Sequence, residues 1–119
     1  MKKVLIIDDD ASVLDLMYHL MNALSFEPYL LIKPVAIFDT IESFKPDIII
    51  MDVIMPEQDG LQTATMLRKH PAYASIPLIL YSADQLKRTD ALEAGADAFL
   101  EKPFDMYDME KIMKQLLKD

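Results

Sequence analysis

Carboxylates stand at the exits of the most apolar runs in this 119-residue chain. KVLII runs into Asp8, Asp9 and Asp10, and DIIIM runs into Asp52. LILY is followed by Ser82, and DAFLE, which ends in Glu101, is followed by Lys102 and Pro103. Crowded carboxylates repel and raise one another's pKa, so something positive must offset them. The Lys102 ammonium is one candidate and a hard divalent cation is the other. Magnesium suits such a set, since it prefers oxygen ligands in octahedral geometry, keeps several waters and takes only one or two carboxylates. Asp9 and Asp52 are the direct candidates, with Asp8 working through a water and a backbone carbonyl just after Asp52 as a further ligand. Such a cluster could bind a metal and do no more, hydrolyse a phosphate ester, or let Asp52 attack phosphorus and form an acyl phosphate. The last option accounts for the partners best. Magnesium and Lys102 would neutralise the oxygens of the transferring phosphoryl group, and Ser82 would hydrogen-bond one of them.

That chemistry requires distant residues to meet, so the intervening elements must bring the run ends together. The chain alternates short apolar runs with helical periodicity. Strands are predicted at residues 3–7, 26–32, 47–51, 78–81 and 97–101. Pro28 places the second strand at an edge, because proline cannot donate to a ladder. The first helix follows Asp10 as N-cap, with Val13, Leu14, Met17, Leu20, Met21 and Leu24 on one face. The second opens on Pro34, with Ile37, Phe38, Ile41 and Phe44 inward. The third covers 61–69 and is closed by His70-Pro71. A weaker fourth covers about 85–94, with Gly95 as the C′ residue. Asp105 caps the fifth, which sets Met106, Met109, Ile112, Met113 and Leu116 on one side.

Five β-α units with near-continuous apolar strands imply an α/β fold: a parallel sheet covered on both faces, in one domain spanning 1–119. Ligands of such sheets bind beyond the carboxyl ends of the strands, at the switch in strand order. Those are the positions occupied by the acids, Ser82 and Lys102.

Composition narrows the function. Twenty acids against twelve bases give a net charge of −8, which repels phosphate backbones and argues against nucleic-acid binding. No apolar run is long enough to cross a bilayer, and MKKVLIIDDD lacks the features of a signal peptide. The chain has no cysteine, which excludes disulfides and thiolate chemistry and suits a cytoplasmic location. With glycine only at 60 and 95, neither a dinucleotide fingerprint nor a Walker A loop can be written. Ser82 has no nucleophile-elbow glycines around it.

VLIIDDD at 4–10, DIIIMDVIMPEQDG at 47–60, PLILYSAD at 77–84 and GADAFLEKPF at 95–104 together resemble the receiver domains of two-component response regulators. The resemblance covers essentially the whole chain. It implies a flavodoxin-like doubly wound sheet of order 2-1-3-4-5 with five helices. By the same resemblance, Asp52 accepts the phosphoryl group, Asp8 and Asp9 hold magnesium, and Ile54 supplies a backbone carbonyl ligand. Ser82 turns toward the phosphoryl group, Lys102 pairs with it, and Phe99 is the aromatic switch. The family's Lys-Pro bond is cis, which implies a cis bond at Lys102-Pro103. The implied partners are a sensor histidine kinase or phosphotransfer protein as donor and a downstream protein target. The surface of helix 4, strand 5 and helix 5 is the responsive face and a possible homodimer contact. Positions 54 and 84, isoleucine and aspartate here, flank the water route in the family. An apolar residue cannot orient water, so slow self-hydrolysis is expected. The family implies a switch rather than a turnover enzyme, either standing alone or cut from a larger protein.

Each residue also has an ordinary structural explanation. Asp8 and Asp9 could be a solvated turn, Asp52 a strand-end acid, Lys102 surface and Phe99 core. Asp59-Gly60 reads as turn and helix start, His19 and His70 as structural or surface residues, and Lys87-Arg88 as helix surface. Most methionines, Met17, Met21, Met51 and Met66 among them, fall where core is expected. The rival functions are a magnesium-dependent phosphohydrolase, which lacks a cap insertion and a second acid, and an interaction module independent of phosphorylation.

Overall fold

The computed structural model describes residues 1–55 and 59–118. The expected PEQDG turn lies partly outside them, at Pro56, Glu57 and Gln58. Five parallel strands form one sheet: β1 (Lys3–Ile7), β2 (Glu27–Leu31), β3 (Ile48–Asp52), β4 (Leu78–Ser82) and β5 (Ala98–Glu101). Their order is β2-β1-β3-β4-β5, as expected. Pro28 sits on the edge strand β2, opposite Val4.

Five helices alternate with the strands: α1 (Ala11–Ala23), α2 (Ile37–Phe44), α3 (Gly60–Lys69), α4 (Arg88–Glu93) and α5 (Met106–Leu116). The starts of α1, α3 and α5 are fixed by Asp10, Asp59 and Asp105, whose side chains accept from Ser12 N, Leu61 N and Asp108 N. Two expectations need correction. Pro34 opens a 3₁₀ turn, Pro34–Ala36, and the α-helix begins only at Ile37. The predicted 85–94 helix is a 3₁₀ turn, Gln85–Lys87, followed by the six residues of α4. Asp84 caps that turn by accepting from Leu86 N. Gly95 takes φ +112°, the left-handed conformation that ends a helix.

Strand alternation divides the core. One face buries Leu5, Ile7, Ile49, Met51, Leu80 and Phe99 against α2, α3 and α4. The other buries Val4, Ile6, Ile48, Ile50, Tyr81 and Leu100 against α1 and α5. Met17, Met21, Met51, Met109 and Met113 are core as expected. Met66 and Met106 are not: both are about half exposed, because the apolar arc of each helix is narrower than its run of large residues. His70 stacks on Phe38 and Tyr73, while His19 lies exposed beside Asp15. Among the described residues no helix is long and apolar enough to cross a membrane.

The guanidinium of Arg68, at the end of α3, ties three segments together. It donates to Gly95 O, Ala74 O, Ile76 O and the Asp97 carboxylate, at 2.7 to 2.9 Å. These contacts lie where β4 and β5 begin, at the pole away from the strand exits.

Candidate functional site

The pocket forms because parallel strands end at one rim in register. Ile7 lies opposite Met51, and Asp52 lies opposite Tyr81. Asp8 and Asp52 therefore emerge side by side, on the face shared with Ile6 and Ile50. Oxygens of Asp8, Asp9 and Asp52 lie within 4.8 Å of one another. Asp8 and Asp52 are buried and Asp9 is exposed. Lys102, just past β5, brings the opposing charge: its Nζ is 3.4 Å from Asp8 Oδ2 and 3.4 Å from Asp52 Oδ2. The Lys102-Pro103 bond is cis.

Each buried carboxylate is also held by backbone. Asp10 N donates to Asp8 Oδ1 at 2.9 Å, and Ile54 N donates to Asp52 Oδ1 at 3.2 Å. Burial pushes the Asp52 carboxyl above its ordinary value; Lys102 pulls it down and Asp8 pushes it up. A group with these neighbours gains from a further cation. The donor set consists of hard oxygens with an open side at Asp9, which fits magnesium.

The start of α3 packs directly on the strand carrying Asp52. A Cβ on Gly60 would lie 2.4 Å from Asp52 O and 2.9 Å from Val53 Cα, so only glycine permits this approach. Gly60 N also donates to Val53 O at 3.0 Å.

Ser82 ends β4 at the same rim, fully buried, with its Oγ accepting from Asp84 N at 3.1 Å. It faces the α3–α4 side, opposite to Asp8 and Asp52, on the face shared with Leu80. Phe99 pairs with Leu80 and is buried on that face, one step below Ser82. Arg88 is exposed at the start of α4, as expected of helix surface, and its guanidinium carbon lies 5.1 Å from the centre of the Phe99 ring. Ile54 is half exposed beside Asp52. Thus Asp8, Asp9, Asp52 and Lys102 meet in one pocket; Ser82 ends the neighbouring strand and Ile54 follows Asp52 in the chain, while Phe99 is buried on the opposite face of the sheet.

Sequence reasoning passed over Tyr81. Its buried hydroxyl donates to Asp8 Oδ2, and the Lys102 ammonium sits 4.6 Å from the centre of its ring. Burial, then the hydrogen bond to Asp8 and its charge, push the phenol far above its ordinary range. Tyr81 is therefore a neutral donor. A polar tip on a buried strand residue one position before Ser82 was the available signal.

The family described as response regulator receiver domain matches residues 4–114. The response regulator MprA of Mycobacterium avium (strain 104) is 36% identical over 120 residues, covering 98% of this chain and 51% of that protein. A crystal structure of a response regulator from Chloroflexus aurantiacus superposes with a TM-score of 0.93 at 26% identity, covering 99% of this chain and 98% of that one. The signal receiver domain of a histidine kinase from Syntrophus aciditrophicus gives 0.89 at 28%, covering 98% and 90%. The chain spans about half the length of curated relatives such as MprA.

Proposed function

The chain belongs to the response regulator receiver domain family, and from that premise we propose that Asp52 is its phospho-accepting residue. The donor is a phosphohistidine on a sensor histidine kinase or phosphotransfer protein. An Asp52 oxygen attacks phosphorus, the P–O bond forms as the P–N bond breaks, and the imidazole leaves. Asp9, Asp52 and the Ile54 carbonyl would hold magnesium, with Asp8 behind them. When bound, the ion neutralises charge on the phosphoryl oxygens. Lys102, paired to Asp8 and Asp52, is placed to move onto the new phosphoryl group. Ser82 gives up its bond from Asp84 N to donate to it, and that shift opens space for Phe99.

Asp52 phosphorylation then changes the face built from α4, β5 and α5, where a downstream protein or a second copy docks. The adduct can shift that equilibrium only as far as it binds the two states differently. The chain acts as a cytoplasmic switch in one domain, not as a turnover enzyme. Exposed Ile54 offers no polar group to orient water, which supports a long-lived adduct.

The observation that carries the reading is the Lys102 ammonium held at 3.4 Å from both Asp8 and Asp52, residues from three strand ends. The test is incubation with magnesium and acetyl phosphate. One acid-stable, base-labile adduct per chain, absent in Asp52→Asn, is expected. Rapid turnover without accumulation would instead indicate a phosphohydrolase. No adduct would indicate a module that works without phosphorylation.

A further inference from the structure

Tyr81 is fully buried, yet no step above uses it. Its register opposite Asp52 places it on the pocket's face of the sheet. A buried phenol needs a hydrogen-bond acceptor, and this one takes Asp8 Oδ2 across the intervening strand β3. The other Asp8 oxygen already accepts from Asp10 N. Asp8 thus carries a neutral donor on each oxygen, and its carboxylate plane is fixed. The same ring faces the Lys102 ammonium at 4.6 Å and packs edge-on against Phe104. Phenylalanine would fill the same space and leave Lys102 as the sole side-chain donor to Asp8 Oδ2.

We propose that Tyr81 is a positioning residue for magnesium: its hydroxyl locks Asp8 so that the carboxylate accepts from the ion's hydration shell. This rests on the acidic pocket being the magnesium site. Partners of this kind behind metal-binding carboxylates typically contribute about 10–100-fold to affinity. Tyr81→Phe keeps the ring and removes only the donor.

The test is calorimetric titration of wild type and Tyr81→Phe with magnesium chloride. The dissociation constant of the variant is expected to rise about tenfold. The magnesium concentration for half-maximal adduct formation from acetyl phosphate should rise equally, with the rate at saturating magnesium within about twofold of wild type. In wild type, the hydrogen-bonded Tyr81 hydroxyl proton should shift in NMR spectra along the same magnesium isotherm, a readout independent of how the variant folds. An unchanged or tighter constant, an equal loss of the saturating rate, or an unmoved hydroxyl resonance would each overturn the proposal. Wild type that binds no magnesium would overturn the reading of the pocket itself, which separates the two failures.

Discussion

Replacing Asp52 by asparagine should stabilise the fold when divalent cations are absent. Asp52 is 6% exposed, and its carboxylate shares one ammonium, 3.4 Å away, with Asp8. At an effective dielectric constant near 20, the attraction to Lys102 is about 5 kcal/mol. Asp8 and Asp9, with oxygens within 4.8 Å, oppose it by about 4 kcal/mol, mostly from buried Asp8 because water screens Asp9. The Coulomb contributions nearly cancel, and the desolvation penalty of a buried ion, several kcal/mol, is left largely unopposed. The same balance keeps the carboxyl pKa raised, with burial as the leading cause. Asparagine keeps the shape and an acceptor for Ile54 N, so a gain of about 1–2 kcal/mol is expected. That corresponds to a melting temperature higher by about 3–8 °C for a domain of this size. Differential scanning calorimetry at pH 7 in EDTA measures it. A raised folded pKa means the folded state holds the proton more tightly. Wild type is therefore favoured below the ordinary value of 3.8 and loses that stability as pH rises through the folded pKa. The advantage of the variant should shrink as pH falls from 7 toward 4. Magnesium should work the other way: at a hundred times its dissociation constant it stabilises wild type by about 2.7 kcal/mol, and the variant, short of one ligand, by less. A variant that melts at or below wild type in EDTA would refute this balance.

Adduct formation should also fall with pH, because only ionised Asp52 attacks and its carboxyl is raised; the acetyl phosphate rate at fixed magnesium, followed from pH 8 downward, should decline through the Asp52 pKa. Gly60→Ala places a methyl 2.4 Å from Asp52 O, so urea denaturation should show a loss of about 2 kcal/mol or more, with weaker magnesium binding as Asp52 is displaced. Lys45 ends α2 at φ +55°, so Lys45→Gly should gain about 0.5–1 kcal/mol in the same assay. Arg68→Ala leaves three carbonyls, in the loop before β4 and at Gly95, without their donor and should cost about 3 kcal/mol, with amide exchange accelerated at the starts of β4 and β5.

The strands and the rim were legible because burial on both sides leaves an unbroken apolar run, and each run ended in a residue with chemistry. Strand limits moved by a residue at Phe26, Ile32, Asp47, Asp52, Ser82 and Asp97, where pairing rather than hydropathy decides the end. The split at Gln85–Lys87 was hidden, since a 3₁₀ turn and an α-helix differ little in spacing over one turn and this turn buries no residue that could mark it. The glycine-free stretch from 26 to 46 still has a left-handed helix end, supplied by Lys45. Met66 and Met106 were misread because helical spacing says which residues share a face, not how far around the helix the neighbours reach. The contacts of Tyr81 and Arg88 were missed for a different reason. Their partners, Asp8 and Phe99, are far away in sequence or lie across an element boundary, and only the register of the sheet discloses the contact.

Arg68 gives the molecule a keel. One side chain fastens the tail of α3 to the approaches of two strands, so the pole beneath the sheet is cross-braced through a single planar group. The opposite pole, with the acids and Lys102, is knit mainly by charges that a cation or a phosphoryl group can re-sort. Any rearrangement on loading the charged end is therefore expected to be largest there and to diminish toward the brace, where Gly95 and Asp97 are held by Arg68.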